Sequence, residues 1–138
     1  MPEGIPSPEG GTLSFEAVMK LDQVLDVGRT QFGQRQAIVV RDGAVSGSKL
    51  TGSVLPGALD FQLKLSNGVI EIEQLLVLKT SDGEIIIVRN AGPYGGLVPT
   101  FEVRTQSPYA WLNKGSYLSS NPAVGAGGVS ITMTESTN

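Results

Sequence analysis

The chain has 138 residues, 40% of them hydrophobic and 17% charged, the proportions of one compact domain with one active site or one binding surface. Ten Lys and Arg against thirteen Asp and Glu give a formal charge of -3, and no basic patch invites nucleic acid. With neither His nor Cys in the chain, thiolate zinc sites, Ser-His-Asp and Cys-His catalysis, disulfides and His-ligated haem are all excluded.

In chain order, residues 1–12 (MPEGIPSPEGGT) form a Pro/Gly-rich leader without the basic start and apolar run of a secretory peptide. No apolar run approaches the roughly 18 residues of a membrane span, so the expectation is a cytoplasmic protein with no membrane partner. Period-two alternation then predicts strands, as where Phe15, Ala17, Met19 and Leu21 alternate with Glu16, Val18 and Lys20. Strands are expected near 13–21, 35–41, 49–55, 59–65, 69–79, 84–91, 98–105, 108–118 and 128–134, with a polar tail at 135–138. Asp42-Gly43, Asn67-Gly68 and Asp82-Gly83 each stand between aliphatic runs, and such pairs accept the positive φ of tight hairpins, so three hairpin turns are placed there. No segment carries a helical stripe. The fold class is all-β, a single antiparallel barrel of about eight to nine strands over residues 13–134, preferred to a sandwich.

The strand at 69–79 is apolar on both faces: Ile70, Ile72, Leu76 and Leu78 share one, while Glu71, Glu73, Leu75 and Val77 share the other. Carboxylates among aliphatics suit the lined interior of a barrel. Asp60, Glu71 and Glu73 are the acids embedded in strands, and desolvation there would raise their pKa toward that of a general acid or base near neutral pH. The competing reading has them solvated on the outside or paired with Lys64 and Lys79. In Tyr109-Ala110-Trp111-Leu112-Asn113, a strand puts Tyr109, Trp111 and Asn113 on one face. There they clasp a carbonyl-bearing ligand, or else they are core aromatics with hydroxyl and amide bonded to nearby backbone. The glycine-rich stretches at 92–96 and 125–128 open no helix and read as loops rather than phosphate sites.

From Gly33 onward, GQRQAIVVRDGAVSG (33–47), LTGSVLPGALDFQL (50–63), SNGVIEIEQLLVLKTSDGEIIIVRN (66–90) and YAWLN (109–113) occur in the order of the domain-of-unknown-function 3237 (DUF3237) family, which the chain resembles. The resemblance implies an antiparallel barrel like that of allene oxide cyclase and dirigent proteins, with a cofactor-free site inside it. Its signature positions fall on Gly52, Pro56, Gly57, Asp60, Gly68, Gly83, Asn90, Tyr109, Trp111 and Asn113. The chain departs from the pattern at Phe61 for Trp, at Glu73 for Asp and at Leu75-Leu76 for an Arg-Tyr pair, which points to a greasier site and an apolar ligand.

Together these readings lead to a cofactor-independent isomerase or cyclase acting on an apolar intermediate of a specialised, polyketide- or terpenoid-like pathway, with neither cofactor nor metal. Asp60, Glu73 and Tyr109 are its expected catalytic residues, and Phe61, Glu71, Leu75, Trp111 and Asn113 its expected substrate contacts. The rival reading is a lipocalin-like binding protein without catalysis. The second apolar face at 69–79 and the run Ile85-Ile86-Ile87-Val88 predict a homodimer.

Overall fold

A computed structural model describes residues 14–125 and 128–136; the expected leader at 1–12 lies outside the described residues. The fold is all-β and antiparallel. Ten strands form one sheet: β1 Ser14–Thr30, β2 Gly33–Gly47, β3 Gly52–Val54, β4 Leu59–Lys64, β5 Ile70–Thr80, β6 Ile85–Pro93, β7 Val98–Glu102, β8 Tyr117–Ser119, β9 Ala123–Gly125 and β10 Gly128–Glu135. The order is β7-β6-β5-β3-β2-β1-β10-β8, with β4 sharing the gap between β2 and β5 with β3, and β9 alongside β10. The sheet curls until its outer strands meet, where the Ser119 N–H donates to the Leu97 carbonyl (3.2 Å) and Phe101 packs edge-on against Tyr117. Among the described residues, no helix is long and apolar enough to cross a membrane.

Alternation places the core. Phe15, Ala17 and Met19 of β1 are buried, as are Leu76 and Leu78 of β5 and Ile86 and Val88 of β6. Phe101 of β7 lies edge-on to Phe15 and to Tyr117, with ring centres 6.0 and 5.1 Å apart, so side chains from strands across the barrel fill its middle. Each such side chain contributes roughly 1.5–3 kcal/mol relative to exposure. The odd-numbered residues of β5 and β6 face outward, leaving Leu75, Val77, Ile85 and Ile87 exposed, which is the second apolar face the sequence foretells.

The turns follow the expectation twice out of three times. Asn67-Gly68 and Asp82-Gly83 are tight turns with Gly68 at φ 90° and Gly83 at φ 94°. Asp42-Gly43 is not a turn. It lies inside β2, paired with Lys20 and Met19 of β1 beside a register shift, and a Cβ on Gly43 would come within 2.5 Å of the Val18 carbonyl oxygen. The glycine serves a close approach of two backbones rather than a reversal. The actual reversal is at Gln31-Phe32, where the Thr30 hydroxyl accepts the Phe32 N–H (3.1 Å), and β1 runs nine residues past its expected end at 21 to reach it.

The expected strand at 108–118 is also corrected. Ala110–Asn113 is a 3₁₀ turn, and only Tyr117–Ser119 is strand. Pro108 has no N–H for a ladder, and Ser107 and Tyr109 carbonyls take the N–H groups of Ala110 (3.0 Å) and Leu112 (2.9 Å) instead.

Candidate functional site

One layer of the barrel interior is polar. The register aligns Ile38 of β2, Asp60 of β4, Gln74 of β5 and Asn90 of β6 in a single cross-strand row. Asp60 is 4% exposed, and Gln74 and Asn90 are fully buried. The amide of Gln74 donates through Nε2 to Asp60 Oδ2 (2.9 Å) and accepts at Oε1 from Asn90 Nδ2 (3.0 Å), which also donates to Ser119 Oγ (2.9 Å). Ser119 in turn donates to the Ser120 carbonyl (2.8 Å). Four strands are thus joined by one side-chain chain anchored on a carboxylate. Burial pushes the Asp60 carboxyl above its ordinary value, against the opposite pull of the Gln74 and Gln62 hydrogen bonds. At the other end of the chain, Asn90 Oδ1 is buried with no hydrogen-bond partner among the described residues.

Beside the polar layer lies a groove that shares one residue with its hydrogen-bond chain. A groove of about 280 Å³ is lined by Asp26, Gln34, Arg35, Gln36, Gln62, Lys64 and Ile70. Gln62 belongs both to its wall and to the interior, since its Nε2 reaches Asp60 Oδ1 at 3.4 Å.

The other expected site residues are elsewhere. Glu71, Glu73 and Leu75 alternate with the buried Ile72, Gln74 and Leu76, so they face outward and not into the barrel. Glu73 pairs there with Arg89 (2.9 Å), and Phe61, directly opposite Glu73 on β4, shares that outer face. Tyr109, Trp111 and Asn113 sit by the opposite end of the barrel. Tyr109 donates to Asp82 Oδ1 (2.9 Å), which also accepts from Thr80 Oγ1 (2.5 Å). Thr80 is six residues along β5 from Gln74, roughly 20 Å at 3.3–3.4 Å per residue, so Asp60 and Tyr109 do not share a reacting atom. Asn113 is bound twice to the backbone of Val103, as acceptor from its N–H and donor to its carbonyl, both at 2.8 Å. Trp111 packs, half-buried, against the core. These residues close the barrel end, with Arg104 bridging both carboxylate oxygens of Glu84 beside them (3.1 and 2.8 Å). Of the expected site residues, only Asp60 lies in the interior polar layer. Among the described residues, no group of three Asp or Glu side chains is gathered to hold a metal ion.

The sequence pattern does not single out Gln74, Gln62, Ser119 or Gln34 as site residues. A signal for Gln74 was present: it has the parity of Ile72, Leu76 and Leu78, an amide interrupting an apolar face.

The match to known proteins covers the barrel. Residues 11–97 fit the model of the family described as protein of unknown function (DUF3237). The chain belongs to the DUF3237 family. A UPF0311 protein of Rhodopseudomonas palustris (strain TIE-1) is 35% identical over 78 residues, 56% of this chain and 51% of the relative, so the chain's match spans about half the length of that relative. A β-barrel-like protein from Acinetobacter baumannii AYE superposes with a TM-score of 0.77 at 20% identity, covering 98% of this chain and 97% of that one. A protein from Penicillium herquei described as an enzyme superposes with a TM-score of 0.76 at 16% identity, covering 99% of both chains. These likenesses establish the fold. The residues on which this DUF3237 chain centres its buried polarity are Asp60, Gln74 and Asn90.

Proposed function

We propose that the protein is a cofactor-independent isomerase or cyclase in which Asp60 moves a proton on a small substrate held in the groove. The observation that carries this reading is a buried carboxylate with a raised pKa, one oxygen fixed by Gln74 and the other behind the groove residue Gln62. Such a group accepts a proton at neutral pH and returns it without prior loss to solvent. In the reaction, Asp60 takes a proton from a carbon or hydroxyl of the substrate, and the freed electron pair shifts along a conjugated carbonyl system. The proton on Asp60 is then delivered to a second carbon. Nothing is gained or lost, so the product is an isomer, and ring closure is the case in which that electron pair forms the new bond. The same fold in the Penicillium herquei protein described as an enzyme supports a catalytic use of such a barrel.

Six of the seven groove residues are polar or charged, so the substrate that fits is an oxygenated molecule rather than the wholly apolar one expected from Leu75-Leu76, of which Leu75 faces outward and Leu76 is packed in the core. The exposed Leu75, Val77, Ile85 and Ile87 support the homodimer as part of this reading; sedimentation at micromolar concentration of wild type and Val77→Glu would show a dimer dispersed by the charge.

The direct test is incubation in D2O with a panel of enolisable β-dicarbonyl compounds and conjugated hydroxy-ketones, followed by NMR. The wild type is expected to accelerate deuterium uptake or isomerisation of at least one compound, and Asp60→Asn to lower that rate at least about tenfold. Binding without any acceleration would instead make the protein a lipocalin-like carrier.

A further inference from the structure

We propose that Asn67 is a site of spontaneous deamidation, losing its side-chain amide through a five-membered succinimide formed with the backbone nitrogen of Gly68. The reaction needs an amide carbon open to approach, a following residue whose N–H can be lost, and a backbone loose enough to bring the two together. Five asparagines stand in the chain, of which Asn138 lies outside the described residues. Asn90 is fully buried, with its Nδ2 donating to Gln74 and Ser119. Asn113 has both side-chain polar atoms tied to the Val103 backbone at 2.8 Å. Asn121 precedes Pro122, whose ring nitrogen has no proton to lose. Only Asn67, among the described residues, meets all three needs.

Ser66, Asn67, Gly68 and Val69 are all exposed at the tip of the β4–β5 hairpin. Gly68 is at φ 90°, and a Cβ placed on it would meet nothing within 4 Å, so its nitrogen is unshielded. Asn67 Oδ1 accepts the Val69 N–H at 3.0 Å. That donor is aimed at the oxygen on which charge gathers when the Gly68 nitrogen attacks Asn67 Cγ, as in an oxyanion hole. The Gly68 N–H donates to the Leu65 carbonyl (3.0 Å), and this bond must open first; at an exposed hairpin tip it opens without disturbing the ladder behind it. The chemistry balances with water alone. The Gly68 nitrogen gives its proton to hydroxide and bonds to Cγ, the Cγ–Nδ2 bond breaks, and Nδ2 leaves as ammonia. Water then opens the ring at Cγ to give aspartate, or at the main-chain carbonyl to give isoaspartate with one more methylene in the backbone. Either product adds a negative charge to a chain of formal charge -3. The new carboxylate stands in the turn closed by Lys64 and Ile70, the end pair of the β4–β5 ladder and both part of the groove wall.

The test incubates the full chain at pH 8.5 and 37 °C, digests it with trypsin at mildly acidic pH and quantifies each asparagine-bearing peptide by mass spectrometry, with isoaspartate measured by enzymatic methylation of its carboxylate. Cleavage after Lys and Arg sets the sites apart: Asn67 falls in the peptide 65–79, Asn90 in 90–104, Asn113 in 105–114 and Asn121 in 115–138. Asn67 is expected to lose ammonia at least about tenfold faster than Asn90, Asn113 or Asn121, faster still as pH rises, and to give isoaspartate as the larger product. Asn67→Gln, which would have to close a six-membered ring, and Gly68→Ala, whose Cβ shields the nitrogen, should each slow the reaction at this turn at least about tenfold. Amide NMR of the aged protein is expected to show shifts confined to residues 64–70, with Asp60 and Gln74 unmoved. Faster loss at another of these asparagines, or an Asn67 that stays intact while the isolated peptide 65–79 converts, would overturn the proposal, and the wild-type chain alone decides both. Aspartate as the sole product, or a Gly68→Ala chain with a dispersed amide spectrum that reacts as fast as wild type, would overturn the cyclic route.

Discussion

Gln74→Leu tests the interior chain most directly. The substitution nearly conserves volume, so what is lost is the amide between Asp60 and Asn90. The ionised Asp60 loses a 2.9 Å donor, about 1.5–3 kcal/mol for a hydrogen bond to a charged group, and one Asn90 N–H loses its acceptor, about 1 kcal/mol more. The expected destabilisation at pH 7 is therefore about 2–4 kcal/mol. Its pH dependence has a definite sign. Asp60 titrates higher in the folded protein than in the unfolded chain because burial penalises its charge, so its contribution favours the fold at low pH and is lost as pH rises through the folded value. Gln74 opposes that shift, so its removal raises the folded pKa further and extends the loss. The deficit should then be greatest at neutral pH and shrink as pH falls toward the ordinary carboxylate range. Urea unfolding followed by the fluorescence of Trp111, the single tryptophan, measures this between pH 7 and pH 4. A deficit below about 1 kcal/mol at pH 7, or one that stays flat over the series, would refute the account of Asp60 as a carboxylate that Gln74 keeps ionisable.

Three further outcomes follow from other parts of the barrel. Gly43→Ala is expected to cost about 1–3 kcal/mol in the same unfolding assay, because its Cβ meets the Val18 carbonyl oxygen at 2.5 Å and one backbone must move. Tyr117, whose phenol burial and, secondarily, the charge of Glu135 push up to about 12, is expected to resist ionisation in the folded protein; absorbance at 295 nm against pH checks this, and the stability it lends below pH 10 should be lost as pH rises through about 12. Asn113→Ala removes both bonds to the Val103 backbone, and thermal unfolding should report a loss of about 1–3 kcal/mol.

Much of the fold is legible in the sequence because alternation and burial are the same fact seen twice. The inward parity of Phe15, Ala17 and Met19 and the turns at Asn67-Gly68 and Asp82-Gly83 needed only local information. Two features did not. Asp42-Gly43 carries the local signature of a turn, and only the neighbouring strand, whose Val18 carbonyl crowds Gly43, shows that the residue is small for a different reason. The segment Tyr109–Asn113 has strand-forming residue types, but Asn113 substitutes its side chain for a ladder partner at Val103, ten residues away, a contact no period reveals.

The site follows the same division. Asp60 was identifiable as an acid in a strand, but choosing among Asp60, Glu71 and Glu73 required knowing which parity of β5 faces inward. That parity was written in Ile72, Leu76 and Leu78, and following it would have replaced Glu71 and Glu73 by Gln74. A buried amide is a weaker chemical signal than a carboxylate, since it neither titrates nor attracts metal, yet here it decides the electrostatics: Gln74 satisfies Asp60 on one side and orients Asn90 on the other. Burial favours the neutral acid at Asp60, and the two glutamines donating to it favour the carboxylate, so the amides that surround it set how far its proton affinity rises, the property a side chain that takes and returns a proton depends on.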